Sequence, residues 1–323
     1  EPRLMSDPVP STDVVDEPGA ALGRIYLRQT AVEDDRATPA ARPDPVRLAA
    51  RAHEVAETRL PGEPIVRVSG EPGGSSVDIV TDDMPYLVES VLAAVRHAGG
   101  EPARVVHPIV VVRRDAAGVL REVFDEADPD EPPSGALVES WMHVDLAAPA
   151  DADALGDEVE GALRDVRDVV ADGPRIAERA RQIADGLAAS APSGRVPGNT
   201  ADVADLLRWL VDGHFTFLGY RRHVVSEDGT SRPDQESALG VLRGLPPAGA
   251  GFAWAEATKA PEELVITRAE IPSRVLRPVH PCYVGVRTFD VDGRVVGEHR
   301  FVGMLTVAAI HEDVLDIPLV ERR

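Results

Sequence analysis

The sequence predicts an α+β protein with two strand-containing halves that are joined by helices. At 323 residues, the chain is long enough for about two domains, and 43% apolar residues can fill a core in each. Along the first half, strand-like alternation and helix-like spacing replace each other repeatedly, whereas strands dominate the last third. These observations predict one mixed domain, a helical stretch and one sheet-rich domain.

The beginning of the chain predicts an arm and a helix. Residues 1–43 are rich in Pro, Asp and Ala, and the apolar patch ALGRIYL predicts a helical arm on the first domain. A helix of about four turns follows, because Asp44 suits the N-cap, Pro45 suits the first helical position, and Pro61 with Gly62 stops it. A short strand, IVRVSG, is predicted next.

The segment from Ser75 onward predicts a ferredoxin-like α/β sandwich. SSVDIVT predicts a strand, PYLVESVLAAVRHAGG a helix, and ARVVHPIVVVRRD one long strand in which Pro108 implies a bulge or an edge. After the acidic loop FDEADPDEPPSG, SWMHVDL alternates as a half-buried strand does, and DADALGDEVEGALRDVRDVVADG has helical spacing. The order strand, helix, strand, strand, helix is that of a ferredoxin-like sandwich.

The rest of the chain predicts a helical connector followed by a mostly antiparallel sheet. PRIAERARQIADGLAASA and NTADVADLLRWLVDG predict two amphipathic helices. The strands are predicted at HFTFLGYRRHVV, ELVITRA, CYVGVRTFD and VVGEHRFVGMLTVAAI, with VDGR as a tight turn. SEDGTSRPDQES and LPPAGAGFAWAEATKAPEE are predicted to be loops.

Charge and hydropathy exclude several classes of partner. With 34 basic and 55 acidic residues the formal net charge is -21, and no basic run could neutralise a row of phosphates, so nucleic acid is not expected. No apolar segment approaches the roughly 18 to 20 residues that span a bilayer, and the start lacks the features of a signal peptide. We therefore expect a cytoplasmic protein without a membrane partner.

The motifs of common catalytic and cofactor sites are missing from the sequence. It contains no G-x-G-x-x-G, G-x-x-x-x-G-K-[ST], G-x-S-x-G, H-E-x-x-H or paired C-x-x-C. Lys259 is the only lysine and lies in a predicted loop, where a solvated charge is expected rather than a catalytic amine. Cys282, the only cysteine, is expected to be a small buried or half-buried hydrophobe, with a lone reactive thiol as the alternative.

Histidines and aromatic residues in the second half leave two alternatives open. Four histidines on or near predicted strands are candidate metal ligands or proton sensors, although no two have a standard ligand spacing. They are His214, His223, His280 and His299. The aromatic residues Trp209, Phe215, Phe217 and Tyr220 are expected to pack in the core, with a ligand pocket as the alternative. We expect no metal site.

The stretch TDDMPYLVESV places two adjacent carboxylates, Asp82 and Asp83, before an apolar helical run. We expect the helix to begin with Met84 as its cap and Pro85 at its first position, so that both carboxylates lie near the positive end of the helix dipole. An acid–base pair is the less favoured alternative, because no nucleophile, metal-ligand set or substrate cradle accompanies it.

Seven motifs, taken in order, resemble the N-terminal region of the large bacterial NAD-dependent glutamate dehydrogenases. They are TDDMPYLVESV, HPIVVVRRDAAG, ESWMHVDL, LLRWLVDGHFTFLGYR, ALGVLRG, RPVHPCYVGVRTFD and GEHRFVGMLTVAAI. The resemblance runs from about residue 20 to the end. The chain departs from the family pattern at His214, where an asparagine is usual, and at Cys282, where an acidic residue is common.

The resemblance implies ACT-like and PAS-like modules, arranged as five segments. They are an arm (1–43), an ACT-like domain (44–173), a helical connector (174–212), a PAS-like domain (213–310) and a truncated C-terminal tail (311–323). The chain begins with Glu1 rather than Met and ends just after a strand-like region, so we expect it to be a piece of a longer polypeptide.

In that family hydride transfer belongs to a domain further along the polypeptide. The resemblance therefore implies that this segment has no catalytic, cofactor-binding or metal residues, and that NAD and oxidative deamination of L-glutamate to 2-oxoglutarate belong to the whole enzyme. The expected partners are the rest of the polypeptide and other copies of the chain. The alternative is a stand-alone amino-acid sensor, with effector contacts at Asp82, Asp83 and Met84, where ACT domains commonly hold effectors.

Overall fold

Two antiparallel sheets, each with helices from neighbouring segments, make up the described part of the chain. The computed structural model describes residues 17–33, 44–71, 74–189, 200–227, 229–244, 262–313 and 316–318. The helices are α1 (Glu17–Glu33), α2 (Pro45–Ala56), α3 (Leu87–His97), α4 (Ala152–Ala189), α5 (Thr200–Trp209) and α6 (Val307–His311). The fold class is α+β, as the sequence predicts.

The first sheet has the order β1-β2-β6-β4-β5, and β3 also pairs with β6. Its strands are β1 (Ile65–Glu71), β2 (Gly74–Asp82), β3 (Pro102–Val106), β4 (Ile109–Arg114), β5 (Leu120–Phe124) and β6 (Leu137–Leu146). Strand β6 lies between β2 and β4 and is antiparallel to both, so β2 and β4 run parallel with one strand between them. The strands β2 and β4 thus form the split β-α-β unit of the predicted ferredoxin-like sandwich. Among the described residues, however, no strand after α4 joins this sheet, and β1, which precedes β2, occupies that edge.

The second sheet has the order β8-β7-β11-β10-β9 and is antiparallel throughout. Its strands are β7 (Phe215–Val225), β8 (Ser231–Gly240), β9 (Leu264–Arg268), β10 (Cys282–Phe289) and β11 (Val295–Leu305). The predicted VDGR turn joins β10 to β11, and Gly293 supplies the positive φ of 81° that a tight turn requires.

The chain divides into two compact units, residues 1–83 with 95–160 and residues 84–94 with 161–323. In the first unit, α1 and α2 pack with the sheet around Leu22, Tyr26, Ala56 and Trp141. The ALGRIYL patch is therefore part of that core. In the second unit, residues of α4 and α5 pack with the aromatic residues of β7 and β11.

Local sequence chemistry explains the confirmed helix α2. The side chain of Asp44 accepts hydrogen bonds from the backbone N–H groups of Val46 and Arg47, at 3.0 and 3.4 Å, and Pro45 occupies the first helical position. These contacts satisfy amides that a helix start leaves without intrahelical partners. The predicted cap is therefore confirmed.

Prolines account for two wrong predictions about strands. The predicted single strand around Pro108 is two strands, β3 and β4, because a proline has no N–H to donate to the ladder; both strands still pair with β6. The predicted loop SEDGTSRPDQES is largely strand β8, in which Pro233 is tolerated because β8 is an edge strand of the described sheet.

Tertiary contacts account for a wrong prediction about a helix, and a local N-cap accounts for one about the end of a strand. Helix α4 continues through Gly173 and Pro174 instead of dividing there, because Asp172 binds Arg243 and the Gly240 amide while Ile176 is fully buried. The last predicted strand ends at Leu305. The next residues form α6, whose N-cap hydroxyl accepts from the Ala309 amide.

Helix α3 begins at Leu87, so the prediction that Met84 caps it is wrong. Tyr86 has a φ of 74°, in the left-handed region, and cannot be part of a right-handed helix. Its carbonyl accepts the first helical hydrogen bond, from the amide of Ser90 at 3.1 Å. The restriction that Pro85 imposes on Met84 therefore produces a turn before the helix, not a helical first position.

Candidate functional site

The predicted effector turn lies at the end of β2. Asp82 accepts hydrogen bonds from Arg59 at 2.6 Å and from the amide of Gly62 at 2.9 Å, so its carboxylate serves the first unit rather than the helix start. The Asp83 side chain is exposed, and its backbone N–H donates to the carbonyl of Val138 at 3.0 Å. Met84 is half-buried. Of the three predicted residues, Asp83 presents a carboxylate to solvent.

Asp82 belongs to a buried ion-pair network centred on Glu139. The side chains of Arg59 and Glu139 have no exposed surface, and Arg114 is almost as buried. Glu139 accepts from Arg59 at 2.9 Å, from Arg114 at 2.7 and 2.8 Å, and from the Trp141 indole at 2.9 Å. Burial alone would raise the pKa of Glu139, but the Arg114 and Arg59 guanidiniums outweigh it and hold this pKa below its usual value.

The same face of the sheet holds a histidine between two carboxylates. His143 Nδ1 donates to Asp78 at 2.7 Å and its Nε2 to Asp145 at 3.1 Å. Arg51 of α2 also binds Asp78, at 2.6 Å, and Arg104 lies 3.4 Å from Asp145. Burial opposes protonation, but the bonds to Asp145 and Asp78 outweigh it and raise the pKa of His143 to about 9. At neutral pH His143 is therefore an imidazolium and no general base.

One face of the second sheet carries another buried polar network. Glu298 accepts from Arg300 at 2.8 and 2.9 Å and from the Tyr283 hydroxyl at 2.6 Å. Arg300 also donates to His223 Nε2 at 3.1 Å, and His223 Nδ1 contacts the Ser231 hydroxyl at 3.1 Å. Burial, together with the charges of Arg300 and Arg221, lowers the pKa of His223 to about 3. This histidine is neutral at every physiological pH.

The four predicted histidines do not converge on a metal site. His223 and His299 lie on neighbouring strands, but His299 pairs with Arg222 in the register and so faces the opposite side of the sheet from His223. His214 donates to the Trp209 carbonyl, and His280 to the Ala269 carbonyl. Among the described residues, no three His, Cys, Asp or Glu side chains are placed to hold a metal ion.

The predicted aromatic set packs in the core. Phe215 and Phe217 are 5.1 Å apart in an edge-to-face arrangement, and Tyr220 lies 5.0 Å from Phe301. Trp209 stacks on His214 at 4.4 Å. The packing alternative therefore describes these residues better than a ligand pocket.

Of the two remaining candidates, Cys282 and Lys259, the structure describes Cys282 alone. Cys282 is partly buried, and burial raises the pKa of its thiol, which disfavours the nucleophilic thiolate. Lys259 lies outside the described residues. No helix in the described part of the chain is long and apolar enough to cross a membrane.

Apart from Asp82, sequence reasoning did not single out the charged residues that pair across the first sheet. In the observed register, Asp78 lies opposite His143 and Asp82 opposite Glu139. Charged residues at alternate positions of strands that are otherwise apolar were the available signal, since such positions share one face. Arg59, the partner of Asp82 and Glu139, lies outside the strands of the described residues, and no local pattern connects it to Glu139, 80 positions away.

The comparisons first define the class of domain. Residues 22–159 match the family described as "Glutamate dehydrogenase, ACT1 domain". This range contains all six strands of the first sheet, from β1 through β6. The match therefore indicates an ACT-type domain at residues 22–159.

The comparisons then identify the relatives. The chain is 33% identical over 293 residues to the NAD-specific glutamate dehydrogenase of Mycobacterium tuberculosis, covering 88% of this chain and 17% of that protein. The enzymes of the same name from Halomonas elongata and Pseudomonas aeruginosa are 29% and 32% identical over 260 and 262 residues, which is 76% of this chain in both cases. The resemblance to this family is confirmed, and the chain spans about one sixth of the length of these relatives.

Proposed function

We propose that this chain is the N-terminal regulatory and assembly region of a large NAD-specific glutamate dehydrogenase, and that it is not itself catalytic. The observation that carries the proposal is the pattern of similarity, which covers 76% or more of this chain but only 16 or 17% of each relative. The match to a glutamate dehydrogenase ACT1 domain supports the regulatory role. In this proposal the whole enzyme uses NAD to deaminate L-glutamate oxidatively to 2-oxoglutarate.

The chemistry of the described residues supports a role outside catalysis. A general base must be deprotonated near neutral pH and within reach of a substrate, yet His143 is held protonated by Asp78 and Asp145. His223 is neutral but buried, and both of its ring nitrogens have hydrogen-bond partners. The polar faces of the two sheets thus fix strands in register, which suits a scaffold.

Two finer assignments accompany this proposal. The second sheet, within residues 213–310, would be the PAS-like module that the motif series predicts. Copies of the chain would associate through their sheets, since exposed sheet edges offer unpaired backbone groups for pairing. Sedimentation velocity of the chain at several concentrations tests association: a concentration-dependent shift toward a dimer or larger species is expected, and a monomer at all concentrations would contradict it.

Turnover by the 323-residue chain is the direct test of the main proposal. The chain is incubated with L-glutamate and NAD⁺ while absorbance of NADH is followed, and NAD⁺ binding is measured separately by calorimetry. We expect neither turnover nor heat of binding. Glutamate-dependent NADH formation that copurifies with the chain, and is abolished by a single substitution within it, would overturn the proposal.

The second candidate function is amino-acid sensing at the turn of Asp82, Asp83 and Met84. The exposed Asp83 carboxylate favours it, since a free carboxylate can bind the ammonium group of an amino acid. Calorimetry with a panel of amino acids at millimolar concentration tests it, with Asp83→Asn as the variant. Asp130→Asn, at an exposed carboxylate in the β5–β6 loop, is the matched control.

The two candidates give different results in that experiment. Binding that Asp83→Asn weakens about tenfold and Asp130→Asn leaves unchanged would establish sensing at this turn. The absence of heat with every amino acid would leave assembly as the role of the region.

A further inference from the structure

Two residues other than glycine have positive φ angles in the described part of the chain. They are Tyr86, with a φ of 74°, in the turn before α3, and Leu276, with a φ of 68°, in the segment between β9 and β10. Side chains with a Cβ rarely adopt this conformation because it is sterically costly, so surrounding contacts must hold it. Such outliers concentrate at functional turns and switches.

One buried hydroxyl touches both residues. Ser90 Oγ, in the first turn of α3, donates to the Tyr86 carbonyl at 2.6 Å and accepts from the Leu276 N–H at 2.9 Å. Ser90 has no exposed surface, so water cannot replace either bond. All three residues belong to the second unit.

The two bonds at Ser90 depend on each other. A hydroxyl has a single hydrogen, and when it points at the Tyr86 carbonyl a lone pair is directed at the Leu276 N–H. A hydroxyl that donates is also a better acceptor, because the bonds in such a chain polarise one another. If the carbonyl of Tyr86 turns away, the hydroxyl loses its orientation and the Leu276 bond weakens with it.

The Leu276 segment is organised and connected to the second sheet. Within it, the Ser273 amide donates to the Val279 carbonyl at 2.9 Å, and Val275 is fully buried. At its ends, the Ala269 amide donates to the Pro281 carbonyl at 2.9 Å, where β9 and β10 diverge. Leu276 therefore lies in a segment whose two ends are joined by a backbone hydrogen bond next to two paired strands.

We propose that Ser90 is a positioning residue that couples the Met84–Tyr86 turn to the 271–281 segment. This proposal deepens the sensing alternative and rests on it for its biological meaning: a small molecule that contacts Met84 and changes the Tyr86 conformation would alter the β9–β10 segment through Ser90. The coupling itself is a property of the chain and requires no ligand.

Backbone hydrogen exchange of the 323-residue chain tests the coupling. Tyr86→Gly removes the cost of positive φ, and Tyr86→Ala is its matched control, since it loses the same ring but keeps a Cβ. We expect the Leu276 amide to be about fivefold better protected in Tyr86→Gly than in Tyr86→Ala. In the Ser90→Ala background the two variants should protect Leu276 equally.

Two results would overturn the proposal. One is equal protection of Leu276 in Tyr86→Gly and Tyr86→Ala when Ser90 is present; the other is a difference that persists undiminished with Ser90→Ala. Ser90→Thr keeps the hydroxyl, so the difference in Leu276 protection between Tyr86→Gly and Tyr86→Ala should return. If Ser90 only filled space, that difference would not depend on the hydroxyl.

A reciprocal pair of variants decides the matter if Ser90→Ala does not fold. Leu276→Gly, compared with Leu276→Ala, should raise protection of the Ser90 amide about fivefold, because coupling acts in both directions. The two substitutions Tyr86→Gly and Leu276→Gly are also combined in one chain. If their combined effect on amide protection equals the product of their separate effects to within twofold, the sites are independent and the proposal fails. Calorimetry without any amino-acid heat would reject sensing but leave these exchange results unaffected.

Discussion

Each of the two sheets contains a buried histidine, and the pKa values of these histidines are shifted in opposite directions. In the first sheet His143 lies between Asp78 and Asp145, and its pKa is raised to about 9. In the second sheet His223 accepts from Arg300 and lies near Arg221, and its pKa is lowered to about 3. Burial lowers the pKa in both cases, so the sign of the neighbouring charges decides the protonation state.

Neither histidine therefore gains or loses a proton near pH 7. One is a fixed cation that ties β2 to β6, and the other is a fixed neutral acceptor that ties β7 to β11. The networks also differ at their central carboxylates. Glu139 accepts hydrogen bonds from two guanidiniums, whereas Glu298 accepts them from Arg300 and the Tyr283 hydroxyl. Four perturbations separate these arrangements.

The largest effect is expected from Glu139→Gln. The variant leaves the fully buried Arg59 and the nearly fully buried Arg114 without their shared carboxylate, which should lower the free energy of unfolding by about 3–5 kcal/mol. Urea denaturation followed by circular dichroism measures the loss. Glu54→Gln breaks the exposed pair with Arg67 and should cost less than about 0.5 kcal/mol. Equal losses in the two variants would refute the network's importance.

Gly285→Ala should damage the corresponding network of the second sheet. A Cβ at this position would collide with the Glu298 carboxylate and lie 2.7 Å from the Tyr283 hydroxyl, so it would separate two hydrogen-bonded groups. We expect a loss of about 3 kcal/mol from overpacking and the broken buried bond. Gly70→Ala, in β1 with open space around it, is the control. If the Gly285→Ala protein is as stable as this control, a Cβ at position 285 does not disturb the Glu298–Tyr283 hydrogen bond.

The alkaline side of the stability profile reports on His143. Since its folded pKa is raised from 6.5 to about 9, its stabilising contribution is complete below pH 6.5 and is lost as pH rises through 9. The loss should amount to about 3 kcal/mol, at ~1.4 kcal/mol per pKa unit. His143→Gln should flatten this part of the urea-denaturation profile. If the slope is unchanged in His143→Gln, the loss of stability at alkaline pH arises from other groups.

The acid side reports on His223, with the opposite sign. Its folded pKa is depressed, so its contribution to stability is complete above pH 6.5 and declines as pH falls below that value, because only the unfolded chain takes up the proton. Between pH 6.5 and 5 we expect a loss of about 2 kcal/mol. His223→Gln should remove that decline, and an identical decline in the variant would show that His223 is not its source.

Local chemistry made much of the fold predictable. The Asp44 cap, the VDGR turn and the strand at SWMHVDL each follow from a few neighbouring residues and are found as predicted, but that strand is buried on both faces and not half-buried. Strand β8 and the continuous α4 could not be predicted, because sheet pairing and the contacts of Asp172 outweigh the local signals of Pro233 and Pro174.

The candidate turn was less predictable than the fold. The sequence places Asp82 and Asp83 before a helix, but Asp82 is drawn to Arg59, whose position depends on the folded first sheet. The left-handed conformation of Tyr86 has no local signal in the sequence. Its carbonyl accepts from the Ser90 hydroxyl, which in turn accepts from the amide of Leu276, 186 positions beyond Ser90. The prediction of effector contacts at Asp82, Asp83 and Met84 stays a prediction.

Neighbouring charges hold His143 and His223 in opposite protonation states. Nuclear magnetic resonance of the labelled imidazole rings, followed from acid to alkaline pH in the folded chain, tests it most directly. We predict that His143 keeps both ring protons until about pH 9, whereas His223 stays neutral, with Nε2 unprotonated, down to the acid limit of folding. Titration of both rings near pH 6.5 would contradict the account.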